Sequence, residues 1–140
     1  PYASSYIGCG NLPLYPFGHG LSYCDFVYEA LTLDTDKMTK DSEIKVTVTV
    51  RNNSDRAGKE VVQLYMHDLV ASSVRPIQQL IAFEKVAIAA GDSKQVVFEI
   101  TEPMLRFWNY NNEYISEKGE FTVSVGYADH FHFTEKFELI

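Results

Sequence analysis

The chain has 140 residues and a formal net charge of −7, and 46% of its residues are hydrophobic, which is typical of one ordinary globular domain rather than a disordered segment. The 19 acidic and 12 basic residues exclude a nucleic-acid binder that relies on a basic face. No apolar run reaches the roughly 20 residues that a membrane helix requires, so we expect no membrane partner.

The first 23 residues are rich in Gly, Pro, Ser and Tyr and show neither helical nor strand periodicity. This composition predicts an extended arm over residues 1–23, followed by a folded domain over residues 24–140. The stretch begins without Met and lacks the basic and apolar regions of a signal peptide, so we expect none in it. The two cysteines, Cys9 and Cys24, are compatible with one disulfide bond or with two unrelated thiols.

Alternating apolar residues then predict about seven strands, each bounded by turn-forming residues. They cover residues 26–33, 44–50, 62–66, 83–88, 96–100, 121–125 and 131–139. A phase slip near Ala30 predicts a bulge, and Glu84 with Lys85 predicts an irregularity in the fourth strand. A short helical turn is predicted over residues 103–107. The pattern favours an all-β, immunoglobulin or fibronectin type III-like antiparallel β-sandwich with an extended N-terminal arm.

The sequence lacks the motifs of common catalytic and nucleotide-binding sites. His130 and His132 share one face of a predicted strand and could bind a metal together. However, Phe131 and Phe133 alternate with them and are typical of a core, so we place both imidazoles on the solvent face. We therefore expect no catalytic residue, no cofactor and no metal site in this chain.

Several strings follow one another in the order found in a known family. The arm ends in LYPFGHGLSY at residues 14–23, and EVVQLY follows at residues 60–65, SSVRP at residues 72–76 and LRFWN at residues 105–109. These strings resemble motifs of glycoside hydrolase family 3, in particular its bacterial periplasmic β-glucosidase branch. There the first string leads from an α/β domain into a C-terminal fibronectin type III-like domain. The resemblance covers residues 12–140.

The resemblance implies a parent enzyme that hydrolyses terminal β-linked glucose or xylose with retention of configuration. In this family the nucleophile Asp and the acid/base Glu lie in a barrel and an α/β domain, neither of which the 140 residues contain. No catalytic residue can therefore be transferred to this chain, which we expect to be inactive alone. The implied partners are those two domains of the same parent chain, with a homodimer of the parent as a further expectation. The implied location is periplasmic or secreted.

The resemblance and the composition of the arm together suggest residues that contact the neighbouring domains, because aromatic side chains need cover. The candidates are Tyr15, Pro16, Phe17, Gly18, His19, Gly20, Leu21, Tyr23 and Arg75. Arg75 could hold a carboxylate or backbone carbonyls, or could be an ordinary surface arginine.

Two other functions remain open on the sequence alone. A carbohydrate-binding or adhesion module acting by contact would use exposed aromatic residues, and the candidates for sugar contact are Trp108, Tyr110 and Tyr114. An independent small enzyme would use His67 and Asp68, although the sequence offers it neither a nucleophile motif nor a pocket.

Overall fold

A computed structural model of the chain describes residues 13–127 and 130–140. Cys9 lies outside these residues, so its pairing with Cys24 stays an open question. The predicted arm is described from residue 13 onward.

Ten strands and one short helix are found in the described residues. They are β1 (Phe26–Leu33), β2 (Lys37–Met38), β3 (Glu43–Asn52), β4 (Gly58–Asp68), β5 (Gln79–Ile88), β6 (Ser93–Thr101), a 3-10 helix (Glu102–Leu105), β7 (Phe107–Trp108), β8 (Tyr114–Ile115), β9 (Gly119–Tyr127) and β10 (His130–Leu139). The seven longer strands coincide with the seven predicted ones, and the 3-10 helix lies at the predicted helical turn.

The strands form two packed sheets and a small hairpin. The first sheet has the order β1-β3-β6, the second has the order β2-β10-β9-β4-β5, and β7 pairs with β8. All pairs are antiparallel except the short contact between β2 and β10, which is parallel. The predicted β-sandwich is therefore confirmed, with β2 as an added parallel edge.

The core lies between the sheets and consists of the alternating apolar residues. In β3 every second residue from Ile44 to Val50 is completely buried. Removal of the whole set of core side chains from water is the main stabilising contribution, at about 25 cal/mol per Å² of apolar surface.

The predicted bulge near Ala30 is confirmed, because the register of β1 against β3 shifts between Tyr28 and Ala30. The irregularity predicted at Glu84 and Lys85 is wrong in position. Those two residues pair in regular register with β4, and the extra residue on β5 is Ile81.

A second unpredicted bulge explains why the placement of His132 on the solvent face is wrong. The pairing of β9 with β10 skips His132, so the side-chain alternation changes phase there. Its imidazole is half-buried and stacks on Tyr28 of the opposite sheet, with ring centroids 4.4 Å apart. His130 is exposed, as predicted. Opposite the bulge, Gly126 has a φ of +143°, and a Cβ there would lie 2.4 Å from a backbone oxygen, so a side chain is excluded.

Candidate functional site

The arm crosses the outer face of the second sheet and is held there by a tight turn. The backbone N–H of His19 donates to the carbonyl of Pro16 over 3.0 Å. Gly18 has a φ of +84°, the left-handed conformation that the third position of a type II turn requires. This turn places the Gly18 carbonyl against the sheet.

Two side chains of β4 receive the turn. The side-chain amide of Gln63 donates to the Gly18 carbonyl over 3.0 Å, and the Tyr65 hydroxyl donates to Gln63 Oε1 over 2.9 Å. Tyr65 is only 1% exposed although it points away from the core, and its ring packs on Phe131. Two strings that the sequence analysis singled out separately, in the arm and in β4, are therefore in direct contact.

The large apolar side chains of the arm nevertheless face solvent. Leu14, Tyr15, Phe17, Leu21 and Tyr23 are between 66% and 96% exposed. Such a concentration of exposed apolar side chains is uncommon on a protein that has no partner. The sequence predicted Tyr15, Phe17, Leu21 and Tyr23 among these as domain contacts, and that assignment stays a prediction.

Below the arm lies an open groove of about 620 Å³, at the side where β4 and β9 diverge. Its lining includes Tyr28 and Glu60, and the Tyr28 hydroxyl donates to the Glu60 carboxylate over 2.9 Å. Burial raises the pKa of both groups, and the carboxylate raises the pKa of Tyr28 further. Burial, followed by the charge on His130, lowers the pKa of His132 beside them. This cluster is a polar contact between the sheets that the sequence analysis missed.

Arg75 holds the long loop between β4 and β5 in place. Its guanidinium donates to Asp68 over 2.7 Å, and the two side chains are 9% and 3% exposed. It also contacts the Leu105 carbonyl and lies 4.8 Å from the centroid of the Phe107 ring. Arg75 therefore holds a carboxylate and a backbone carbonyl of its own chain, and its predicted contact with a neighbouring domain stays a prediction.

His67 and Asp68 do not converge, because successive strand residues point to opposite faces. The Asp68 carboxylate binds Arg75 and accepts the backbone N–H of Val70. Among the residues with described positions, no group of three metal-ligating side chains converges, and no helix is long and apolar enough to cross a membrane.

The residues that the sequence suggested for sugar contact lie in the hairpin formed by β7 and β8. We call residues 107–115 the hairpin tip. Trp108 and Tyr114 pair across it, and their ring centroids are 5.3 Å apart. Trp108, Tyr110 and Tyr114 are 65%, 77% and 50% exposed. All three predicted sugar-contact candidates therefore lie on one accessible feature, and their contact with sugar stays a prediction.

Beside the hairpin tip lies a charge network that the sequence analysis missed. The Glu102 carboxylate accepts hydrogen bonds from Arg106, at 2.8 Å in the closest contact, and from the Ser116 hydroxyl. These bonds, from Arg106 first, lower the pKa of the carboxyl group. The spacing of four residues between Glu102 and Arg106 was the available sequence signal.

The chain is similar in sequence to part of several enzymes that are much longer than the chain itself. The family model described as the fibronectin type III-like domain matches residues 60–128. A putative β-xylosidase of Formosa agariphila is 45% identical over 89% of this chain, and the periplasmic β-glucosidase of Salmonella typhimurium is 42% identical over 89%. The chain spans 16% of the length of each of these two proteins.

Solved structures agree with this similarity. A β-glucosidase from Listeria innocua in complex with glucose matches 99% of this chain with a TM-score of 0.89 and 40% identity. The GH3 β-glucosidase of Bifidobacterium adolescentis matches 89% of this chain with a TM-score of 0.81 and 34% identity. The matched regions make up 19% and 18% of those two chains.

Proposed function

We propose that this chain, which belongs to the fibronectin type III-like domain family, is the non-catalytic structural domain of a family 3 glycoside hydrolase. In this proposal it packs on the barrel and the α/β domain of the same parent chain and stabilises them. The parent would release terminal β-linked glucose or xylose with retention of configuration. The similarity to enzymes named β-glucosidase and β-xylosidase supports this reaction class.

The observation that carries the proposal is the two-sided character of the arm. One side is fixed to the domain through the bond between Gln63 and the Gly18 carbonyl. The other side exposes Leu21 and Tyr23 almost completely, at 94% and 96%. Exposed side chains of this size on an anchored segment are best explained by a protein surface that covers them in the parent.

The similarity to a periplasmic β-glucosidase of Salmonella typhimurium supports the further proposal that the parent is exported. Fractionation of cells that express the full-length protein would test it. Recovery of the full-length protein in the cytoplasmic fraction would contradict it.

Deletion of residues 24–140 from the full-length protein tests the structural role. We expect the shortened enzyme to unfold at a lower temperature and to accumulate in inclusion bodies, because its surface beneath the domain becomes exposed. The 140-residue chain itself should not hydrolyse 4-nitrophenyl β-glucoside or β-xyloside. A deletion variant with the Tm and the kcat/KM of the full-length enzyme would overturn the proposal.

A further inference from the structure

The hairpin tip lies at the opposite end of the sandwich from the groove beneath the arm. The tip follows the 3-10 helix at the end of β6, and Ser73, in the loop after β4, donates to the Trp108 carbonyl over 3.4 Å. The arm instead contacts Gln63 and Tyr65, in the body of β4. A domain that covers the arm therefore need not cover the hairpin tip.

The turn of the hairpin tip is fixed by its own hydrogen bonds. The side-chain oxygen of Asn109 accepts the backbone N–H groups of Asn111 and Glu113 at 2.9 and 3.0 Å. Its amide group donates to the Glu113 carboxylate over 2.9 Å. Asn112 adopts a φ of 60°, which asparagine tolerates better than most residues. The flanking aromatic rings are thus presented on a rigid support, which reduces the entropy lost when a ligand binds.

A pocket of about 410 Å³ opens beside Tyr114, within the size range of small-molecule sites. Its charged lining residues are Lys40, Asp41, Glu102 and Arg106. Their formal charges, +1, −1, −1 and +1, sum to zero. Arg106 is partly exposed and Glu102 is buried, so this ion pair offers guanidinium N–H groups on the pocket side.

This combination matches the chemistry of a neutral sugar. Aromatic faces carry partial negative charge and attract the C–H face of a pyranose ring. Hydroxyl groups both donate and accept hydrogen bonds, so they pair equally well with carboxylates and with cationic N–H groups. A phosphate or sulfate would instead require a net positive site, which the charge balance does not supply.

We propose that the hairpin tip and the adjacent pocket form a saccharide-binding surface for β-linked gluco- or xylo-oligosaccharides. Sugar rings stack on Tyr114 and Trp108, and the ring over Tyr114 directs hydroxyl groups to Arg106 and Asp41. The choice of gluco- and xylo-oligosaccharides rests on the reaction class proposed above. The binding surface does not rest on the structural role, because binding is measured on the 140-residue chain itself.

The single tryptophan makes the test direct, since Trp108 is the only Trp in the chain. We would titrate the chain with laminarihexaose, cellohexaose and xylohexaose, follow tryptophan fluorescence, and measure affinity by calorimetry. We expect a saturable change with at least one of these sugars. Because the ligand is neutral, added salt should leave its affinity unchanged.

Three variants assign the binding to this surface. Tyr114→Ala removes the ring on which the sugar stacks and should weaken affinity about tenfold, which corresponds to about 1.4 kcal/mol. Tyr114→Phe keeps the ring and should retain the affinity. Tyr23→Ala removes an exposed aromatic side chain of the arm and should have no effect.

Two outcomes would overturn the proposal. One is the absence of saturable binding for all three sugars while circular dichroism shows a folded chain. The other is binding that Tyr114→Ala leaves unchanged, because the sugar would then occupy another surface. Loss of binding in Tyr114→Ala with an unchanged urea midpoint would support it.

Discussion

Gly18 is the residue on which docking of the arm depends. A Cβ at this position would lie 2.4 Å from Gln63 Oε1 and 2.7 Å from the Tyr65 hydroxyl, in a left-handed conformation that costs about 1 to 2 kcal/mol for other residues. We expect Gly18→Ala to lower the free energy of unfolding by about 1 kcal/mol. The decrease is no larger because the arm can detach from β4 and so avoid the strained conformation. The matched control is Gly20→Ala, since nothing lies within 4 Å of a Cβ at that position. Equal urea midpoints for the two variants would contradict this account.

His132 should make stability depend on pH. Its pKa is lowered in the folded chain, so below about 6.5 the unfolded chain binds the proton more readily and acidification favours unfolding. The stability that neutral His132 contributes above about pH 6.5 is lost as the pH falls from that value through the lower pKa of His132 in the folded chain. The raised pKa of Glu60 has the opposite effect, because it favours the folded chain as the pH falls. The other titratable groups that face the imidazole are Tyr28, Tyr127 and His130.

The variant His132→Phe separates these contributions, because it keeps a ring on Tyr28 and leaves Glu60 in place. Between about pH 7.5 and pH 5.5 we expect the variant to lose less stability than the original chain, because it lacks the imidazole whose pKa is lowered by folding. Urea unfolding at both pH values measures the difference. The same pH dependence in both proteins would show that His132 is not responsible.

At the scale of elements, the loop between β4 and β5 depends on Arg75. Arg75→Ala would leave the Asp68 carboxylate buried without its partner, which typically costs about 3 kcal/mol or more. The exposed pair of Arg56 and Asp55 is the control, and Arg56→Ala should change stability by less than about 0.5 kcal/mol. Urea denaturation compares the two variants. A similar small loss in both would mean that the Arg75 contact contributes little.

Strand positions were predictable because one face of each long strand is buried. Apolar and polar residues therefore alternate along the strand sequence. The bulge at Ala30 was predictable for the same reason, since it interrupts the alternation within one strand. The bulge at His132 was not, because its cause lies in the partner strand, where Gly126 leaves space for a backbone oxygen. The bulge at Ile81 was also missed, but for another reason. Its neighbours Leu80 and Ala82 are both apolar, so the sequence shows no break in the alternation of apolar and polar residues.

At the scale of the whole molecule, local patterns identified the separate parts of the candidate sites but not their contacts. The arm and β4 were each singled out, yet the bond from Gln63 to Gly18 spans 45 residues and leaves no periodic signal. The cluster of Tyr28, Glu60 and His132 likewise joins three strands from two sheets. The aromatic residues of the hairpin tip were found because they are adjacent in sequence.

The exposed side of the arm should affect the isolated chain and the full-length protein in opposite ways. In the 140-residue chain, the double change Leu21→Ser and Tyr23→Ser removes apolar surface from solvent, so it should reduce binding of the dye ANS and self-association. In the full-length protein the same changes should lower the Tm, because they remove apolar contacts with the neighbouring domain. Val97→Ser, on the outer face of the other sheet and 52% exposed, is the control and should not lower the Tm of the full-length protein. An unchanged Tm in the full-length double variant would mean that no domain covers the arm. Leu21 and Tyr23 can stabilise the full-length protein only if a neighbouring domain buries them.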